Sequence, residues 1–166
     1  MERRSVEAIV RALNDAGARY LIAGGLAVVA HGYLRFTADV DLILDLDTEN
    51  VRKTLNALQG LGYCPRVPVP AEQFLDADVR ARWIREKGMK VFSLISAQHP
   101  KTEVDLFAES PLDFNRAAAN AMMVDVAPGV RATIVSLEDL LFLKKQAGRP
   151  LDLEDIRQLE QLRKQP

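Results

Sequence analysis

The sequence predicts an α+β domain, a small mixed β-sheet with helices packed mainly on one side and two helices closing the chain. Three observations point there. Short apolar runs of strand length alternate with stretches whose apolar residues recur every three or four positions. Glycine and proline clusters separate them, among them Gly24-Gly25, Pro128-Gly129 and Gly148-Arg149-Pro150. The 166 residues hold no repeat, low-complexity tract or long linker, so 1–166 reads as a single domain with enough length for a core.

Val6, Ile9, Val10 and Leu13 predict a helix over 5–16, with Ser5 as its N-cap and Gly17 as its stop. Residues 18–23 read as a buried strand, 25–32 as a short helix ended by Gly32, and 38–45 as a second strand. Asp47 or Thr48 caps the next helix, whose inner face carries Val51, Leu55 and Leu58 and which Gly60 and Gly62 end. Pro65 confines Tyr63-Cys64-Pro65-Arg66 to a sheet edge. Residues 67–70 are loop, and 71–87 are helical with a break near Asp76–Asp78. Strands over 89–96 and 102–107 pair antiparallel across His99-Pro100, a helix covers 111–120, and 122–126 with 130–134 makes a hairpin. Helices over 137–147 and 153–164 form a C-terminal segment of about 136–164.

The chemistry gathers between Leu21 and Asp45. An apolar run ends in Gly24-Gly25, and the chain returns as Asp39-Val40-Asp41 inside a second apolar run. Strand alternation sends Asp39 and Asp41 to one side, where two carboxylates repel unless a cation lies between them. Hard oxygen donors suit Mg²⁺ or Mn²⁺, and the glycine pair lets backbone approach an anion closely. Together they read as a site for a metal-bound nucleoside triphosphate.

Gly24-Gly25, thirteen residues, then Asp39-Val40-Asp41 resembles the signature of the DNA polymerase beta-like nucleotidyltransferase superfamily. The fuller string Gly-Gly-x-Ala-x-x-x-His-Gly-x-x-Arg-x-Thr-x-Asp-Val-Asp-Leu is similar to its small bacterial branch of AbiEii-like abortive-infection toxins. The resemblance implies the nucleotidyltransferase fold, Mg²⁺ or Mn²⁺ as cofactor and an NTP as donor. It implies Asp39, Asp41 and a third strand carboxylate, matched by Asp105 between Val104 and Leu106, as metal-binding and catalytic groups. Gly24, Gly25, Arg35 and Thr37 become nucleotide-binding residues. Many members carry Ser where Gly25 stands, its hydroxyl touching a phosphate, and Thr37 is the residue placed to take that role. For Arg35 both a phosphate and an acidic partner stay open.

The segment from Leu137 to Ile156 is similar to the closing part of the same branch. By that likeness Lys144 reaches the triphosphate and Asp152 or Asp155 supports it, while Leu151 departs from a basic residue. The plainer reading makes Asp152 an N-cap with Asp155 at N3, as Ser136 and Asp139 would begin the preceding helix. Lys145, one step further, points elsewhere.

The implied reaction moves an NMP from an NTP to an acceptor hydroxyl and releases pyrophosphate. The acceptor is a tRNA end, a protein or a small molecule; a toxin role would bring a cognate antitoxin, and since one domain offers little to grip a large substrate, a homodimer or partner protein would complete the acceptor site. The alternative is a non-catalytic nucleotide-binding or antitoxin-like module with the same fold, which loss of a carboxylate would favour; all three are present. Other polar residues have plainer roles. His31 reads as structural and His99 as loop, and with Cys64 they lack zinc-site spacing. Arg80, Arg82, Arg85, Lys87 and Lys90 read as a solvated helix face with Trp83 turned to the core, rather than an RNA surface, because the net charge is only −1. No apolar run reaches the roughly 20 residues of a membrane span. A single cysteine fits a reducing, cytoplasmic setting.

Overall fold

Seven strands form one mixed sheet, and what positions the site is which strand lies beside which. The computed structural model describes residues 1–164. In chain order they form α1 (Arg3–Asp15), β1 (Tyr20–Ile22), α2 (Gly24–Ala30), β2 (Asp39–Leu44), α3 (Thr48–Gly60) and β3 (Tyr63–Pro65). A 3-10 turn (Ala71–Leu75), α4 (Ala77–Lys87), β4 (Val91–Ser96), β5 (Glu103–Phe107) and α5 (Phe114–Ala119) follow. The hairpin β6 (Met122–Ala127) and β7 (Val130–Ile134) leads into α6 (Leu137–Ala147) and α7 (Pro150–Arg163). The sheet order is β3-β4-β5-β2-β1-β7-β6. β2 lies parallel to β5 and antiparallel to β1, so the chain's two acidic strands are neighbours at the centre.

Alternation divides the sheet into two unlike faces. Val40, Leu42, Val104, Leu106, Phe92 and Leu94 share one face and are all buried. Phe92 stacks on Phe74 and Trp83 at 5.1 and 5.5 Å, which packs the 3-10 turn and α4 onto that face beside α1 and α3. Trp83 is therefore core, as the sequence suggested. The opposite face carries Asp39, Asp41 and Asp105, with α2, α6 and α7 over its β1 side.

Local chemistry accounts for most element ends. The carboxylate of Asp47 accepts from the amides of Glu49 and Asn50, and that of Asp76 from Asp78 and Val79, which splits the 3-10 turn from α4. Ser136 accepts from the Asp139 amide at the start of α6. Four expectations need correction. Ser5 does not cap α1, which begins two residues earlier; it lies buried in the helix, where its hydroxyl meets His99 Nδ1 at 2.9 Å. His99 is thus more than loop, since it also stacks on Tyr63. Arg80 leaves the solvated basic face: it is buried and donates to the carbonyls of Phe74 and Leu75. Finally, α7 starts at Pro150 rather than at 153, because proline suits the first helical position, where no amide is needed. That start makes Asp152 the N3 residue, not the N-cap.

Candidate active site

Parallel pairing of β2 with β5 sets Asp41 opposite Asp105 and Asp39 opposite Glu103 on the open face. Neighbouring strands lie about 4.8 Å apart, so four carboxylates of one sign crowd together. Arg66 pairs with Glu103 and relieves one of them. Asp105 Oδ1 is buried without a hydrogen-bond partner. Burial first, then the charges of Asp105 and Asp39, push the Asp41 pKa up to about 6, against the pull of Lys144 and Arg149. Burial, followed by Asp105 and Glu103, raises that of Asp39 as well. An orphaned buried oxygen beside a carboxylate that resists ionisation is an arrangement that a positive charge placed between them would satisfy.

The two glycines are glycine for different reasons. Gly24 has φ +58°, and a Cβ there would lie 2.5 Å from Asp41 Cγ and overlap Oδ2. Only glycine lets the backbone press against this carboxylate, and the Ala23 amide donates to the Asp41 carbonyl at 2.9 Å in the same contact. Gly25 makes room for other residues: a Cβ would stand 2.8 Å from Thr37 Cβ and 3.1 Å from Arg35 Nη1. The Thr37 hydroxyl thus fills the volume that a side chain at 25 would occupy.

Above the carboxylates runs a chain of alternating charges. Arg35 Nε and Nη2 fork onto Asp155 at 2.7 and 2.9 Å. Lys144 Nζ lies 2.7 Å from Asp155 and donates to Asp152 at 2.8 Å. Arg149 Nε donates to the other Asp152 oxygen at 2.7 Å, and the Arg149 amide donates there too. Burial would raise the Asp152 pKa, but bonds from Arg149 and Lys144 hold it down at about 2. Asp155 is fully buried and Lys144 is 4% exposed, so this is an interior network that ties the loop before β2 to α6 and α7. Gly24, Asp41, Asp105, Lys144 and Arg149 line a cleft of about 690 Å³. Apolar side chains line it too, among them Leu143 of α6 and Val91 and Phe107 of the sheet.

This architecture matches solved structures. A candidate nucleotidyltransferase from Thermotoga maritima superposes with a TM-score of 0.57 at 16% identity, covering 93% of this chain and 89% of that one. An antigenic nucleotidyltransferase-like protein from Paracoccidioides brasiliensis gives 0.57 and 16%, over 97% and 76%. The fold is the nucleotidyltransferase fold. No protein-family model matches the sequence, and no curated protein matches it at a significant level.

Within that fold the residues singled out from sequence fall into three groups. Asp41, Asp105 and Gly24 line the cleft, and Asp39 stands beside them on the same face of β2, close enough for its charge to act on Asp41. Among the described residues, though, no three acidic, histidine or cysteine side chains gather closely enough to cage one ion. The expected triad is therefore two facing carboxylates plus Asp39, because residues two apart on a strand lie about 6.6 Å from each other. Gly25, Thr37 and Arg35 pack together at the start of α2, with Arg35 committed to Asp155. Lys144, Asp152 and Asp155 form the network, so the ammonium expected on a triphosphate already holds two acids. His31 is structural, meeting the Val135 carbonyl at 2.9 Å, and Lys145 points away to Glu160. Two neighbours were not singled out. Glu103 was readable, since Glu103-Val104-Asp105-Leu106 echoes Asp39-Val40-Asp41-Leu42. Arg149 carried no signal beyond lying in a turn.

Proposed function

We propose that this protein is a metal-dependent nucleotidyltransferase, transferring an NMP from an NTP to an acceptor hydroxyl with release of pyrophosphate. One observation carries the reading: Asp41 and Asp105 face each other in an open cleft, one with a raised pKa and the other with a buried, unpartnered oxygen. Shared fold with a candidate nucleotidyltransferase and a nucleotidyltransferase-like protein supports it. Mg²⁺ is bound through one or two carboxylates completed by substrate phosphates, which fits two facing acids better than a closed cage would. Bound there, the ion neutralises charge on the reacting phosphate.

The chain's own residues supply the rest. Asp41 and Asp105, with Asp39 beside them, hold the cation, and Asp105 takes the proton of the acceptor hydroxyl. Gly24 leaves backbone in reach of the phosphates. Lys144 has three N–H donors, of which Asp152 and Asp155 take two, so the third is directed to the cleft and its angle is fixed by those acids. The apolar lining from Val91, Phe107 and Leu143 accommodates the nucleoside. Thr37, in the side-chain space of Gly25, presents its hydroxyl to a phosphate. The acceptor is a tRNA end, a protein or a small molecule, and a toxin with a cognate antitoxin remains the branch-level reading. A binding-only module is the second reading, favoured by the engagement of both Arg35 and Lys144 with Asp155.

Calorimetric titration with non-hydrolysable α,β-linked analogues of the four NTPs, with and without Mg²⁺, tests this. Metal-dependent binding of at least one analogue is expected, and its loss in Asp39→Asn/Asp41→Asn. A folded protein that binds none would reject the enzyme. Binding by wild type without any turnover toward RNA, protein or small-molecule hydroxyls would favour the module.

A further inference from the structure

Arg149 stands at the open end of the charge chain and differs from its other members. Its side chain is 73% exposed, whereas that of its partner Asp152 is 1% exposed. It lines the cleft together with Gly24, Asp41, Asp105 and Lys144. Its attitude is fixed from two directions. The guanidinium binds Asp152 through Nε at 2.7 Å and Nη2 at 3.3 Å. The backbone amide donates to the same carboxylate at 3.2 Å, and Pro150 begins α7 immediately after it. A guanidinium has five N–H donors. Side-on pairing through Nε and Nη2 uses two, leaving both donors of Nη1 and one of Nη2 on the edge turned away from Asp152. That edge is a fork matched to phosphate oxygens, held without a flexible stem to freeze on binding.

The other cations of the cleft do not offer this. Lys144 is buried with two donors engaged. Lys90 also lines the cleft, but it is a single ammonium on an exposed side chain with no hydrogen bond or ion pair among the described residues to fix its direction. Asp41 is close enough for its charge to strengthen the protonation of Arg149, though the hydrogen bond to Asp152 is the larger cause.

We infer that Arg149 is a catalytic residue whose free guanidinium edge grips the β- and γ-phosphates of the donor and stabilises the departing pyrophosphate. This rests on the nucleotidyl transfer proposed above. In that step the acceptor oxygen forms a bond to the α-phosphorus while the bond from the α-phosphorus to the β-bridging oxygen breaks. The bonding pair leaves on the pyrophosphate, and the acceptor proton passes to Asp105. Charge therefore grows where a fixed fork of donors is worth most.

The test is calorimetry in Mg²⁺ buffer with inorganic tripolyphosphate, pyrophosphate and orthophosphate, on wild type, Arg149→Gln and Arg149→Lys, with the melting temperature of each. Arg149→Gln is expected to weaken tripolyphosphate and pyrophosphate binding by about ten- to a hundredfold, as loss of charge-assisted hydrogen bonds does. Arg149→Lys should recover part of that loss, since a point charge replaces the fork. Orthophosphate should be nearly unaffected, and both variants should melt close to wild type. If Arg149→Gln fails to fold, Arg149→Lys against wild type decides. Wild-type binding that Arg149→Gln leaves within twofold would overturn this inference and leave the enzyme standing. An equal proportional loss for all three anions would mark a structural role and overturn it too. Wild type that binds no polyphosphate would remove the enzyme reading and this one together.

Discussion

Asp41 is a carboxylate held where ionisation is unfavourable, and its stability cost has a definite sign. Its pKa is raised from 3.8 to about 6 by burial, then by Asp105 and Asp39. For a group raised in the folded state, the stabilising contribution is complete below the unfolded value near pH 4. It is lost as pH rises through about 6. A shift of about two units corresponds to roughly 3 kcal/mol. Asp41→Asn removes one of two facing charges at nearly constant shape, so at pH 7.5 it should raise the melting temperature by about 5 °C or more. It should also flatten the decline between pH 4 and 6. Circular-dichroism melts across pH 4–8 measure both, and a wild-type profile flat over that window would count against the assignment. Stability surrendered at a site residue is what function commonly demands.

Among elements, the tie between α7 and the rest of the site depends most on Asp155. Buried and accepting from both Arg35 and Lys144, it supplies the counter-charge to each. Asp155→Asn keeps the volume and removes that charge, which should destabilise the protein by about 3–5 kcal/mol, as breaking one side of a buried ion pair does. A urea midpoint shifted by less than 1 kcal/mol equivalent would mean that the network is solvated and weak. The support of Lys144 by Asp152 or Asp155 was read from likeness and an acidic partner for Arg35 was left open, but that one carboxylate serves both cations was not legible in the sequence. Asp155 and Arg35 are 120 positions apart, and a pairing that distant leaves no local trace. Caps at Asp47, Asp76 and Ser136 could be read because cap and helix are contiguous. The start of α7 was misread for the same local reason: Asp152 followed by Asp155 looks like a helix start, and Pro150 serves equally well as a spacer or as a first helical residue. Arg149, flanked by glycine and proline, looked like a turn. Only the position of Asp152 beneath it gives its side chain a direction.

At the scale of the whole molecule, the sheet order makes the site. Asp-Val-Asp-Leu and Glu-Val-Asp-Leu are separated by more than sixty residues, and placing β5 parallel to β2 turns them into facing pairs. Alternation within each motif was visible in sequence; their mutual register was not, since it is set by the direct pairing of two strands far apart in the chain. A site assembled this way has like charges facing each other on its floor and, among the described residues, no third acid close enough to close it, so its affinity for a cation should depend on phosphate oxygens from a second ligand. Thermal denaturation measures that dependence. Mg²⁺ together with a triphosphate that binds, at a hundred times its dissociation constant, should stabilise by about 2.7 kcal/mol. For a chain of this length the melting temperature would rise by about 5–10 °C. Mg²⁺ alone or the triphosphate alone should give much smaller shifts. Asp41→Asn should abolish the combined shift while starting from a higher baseline, because the repulsion that the cation would cancel has already been removed. An equal rise with Mg²⁺ alone would mean that the carboxylates form a self-sufficient cation site, with the phosphates contributing nothing to how it closes.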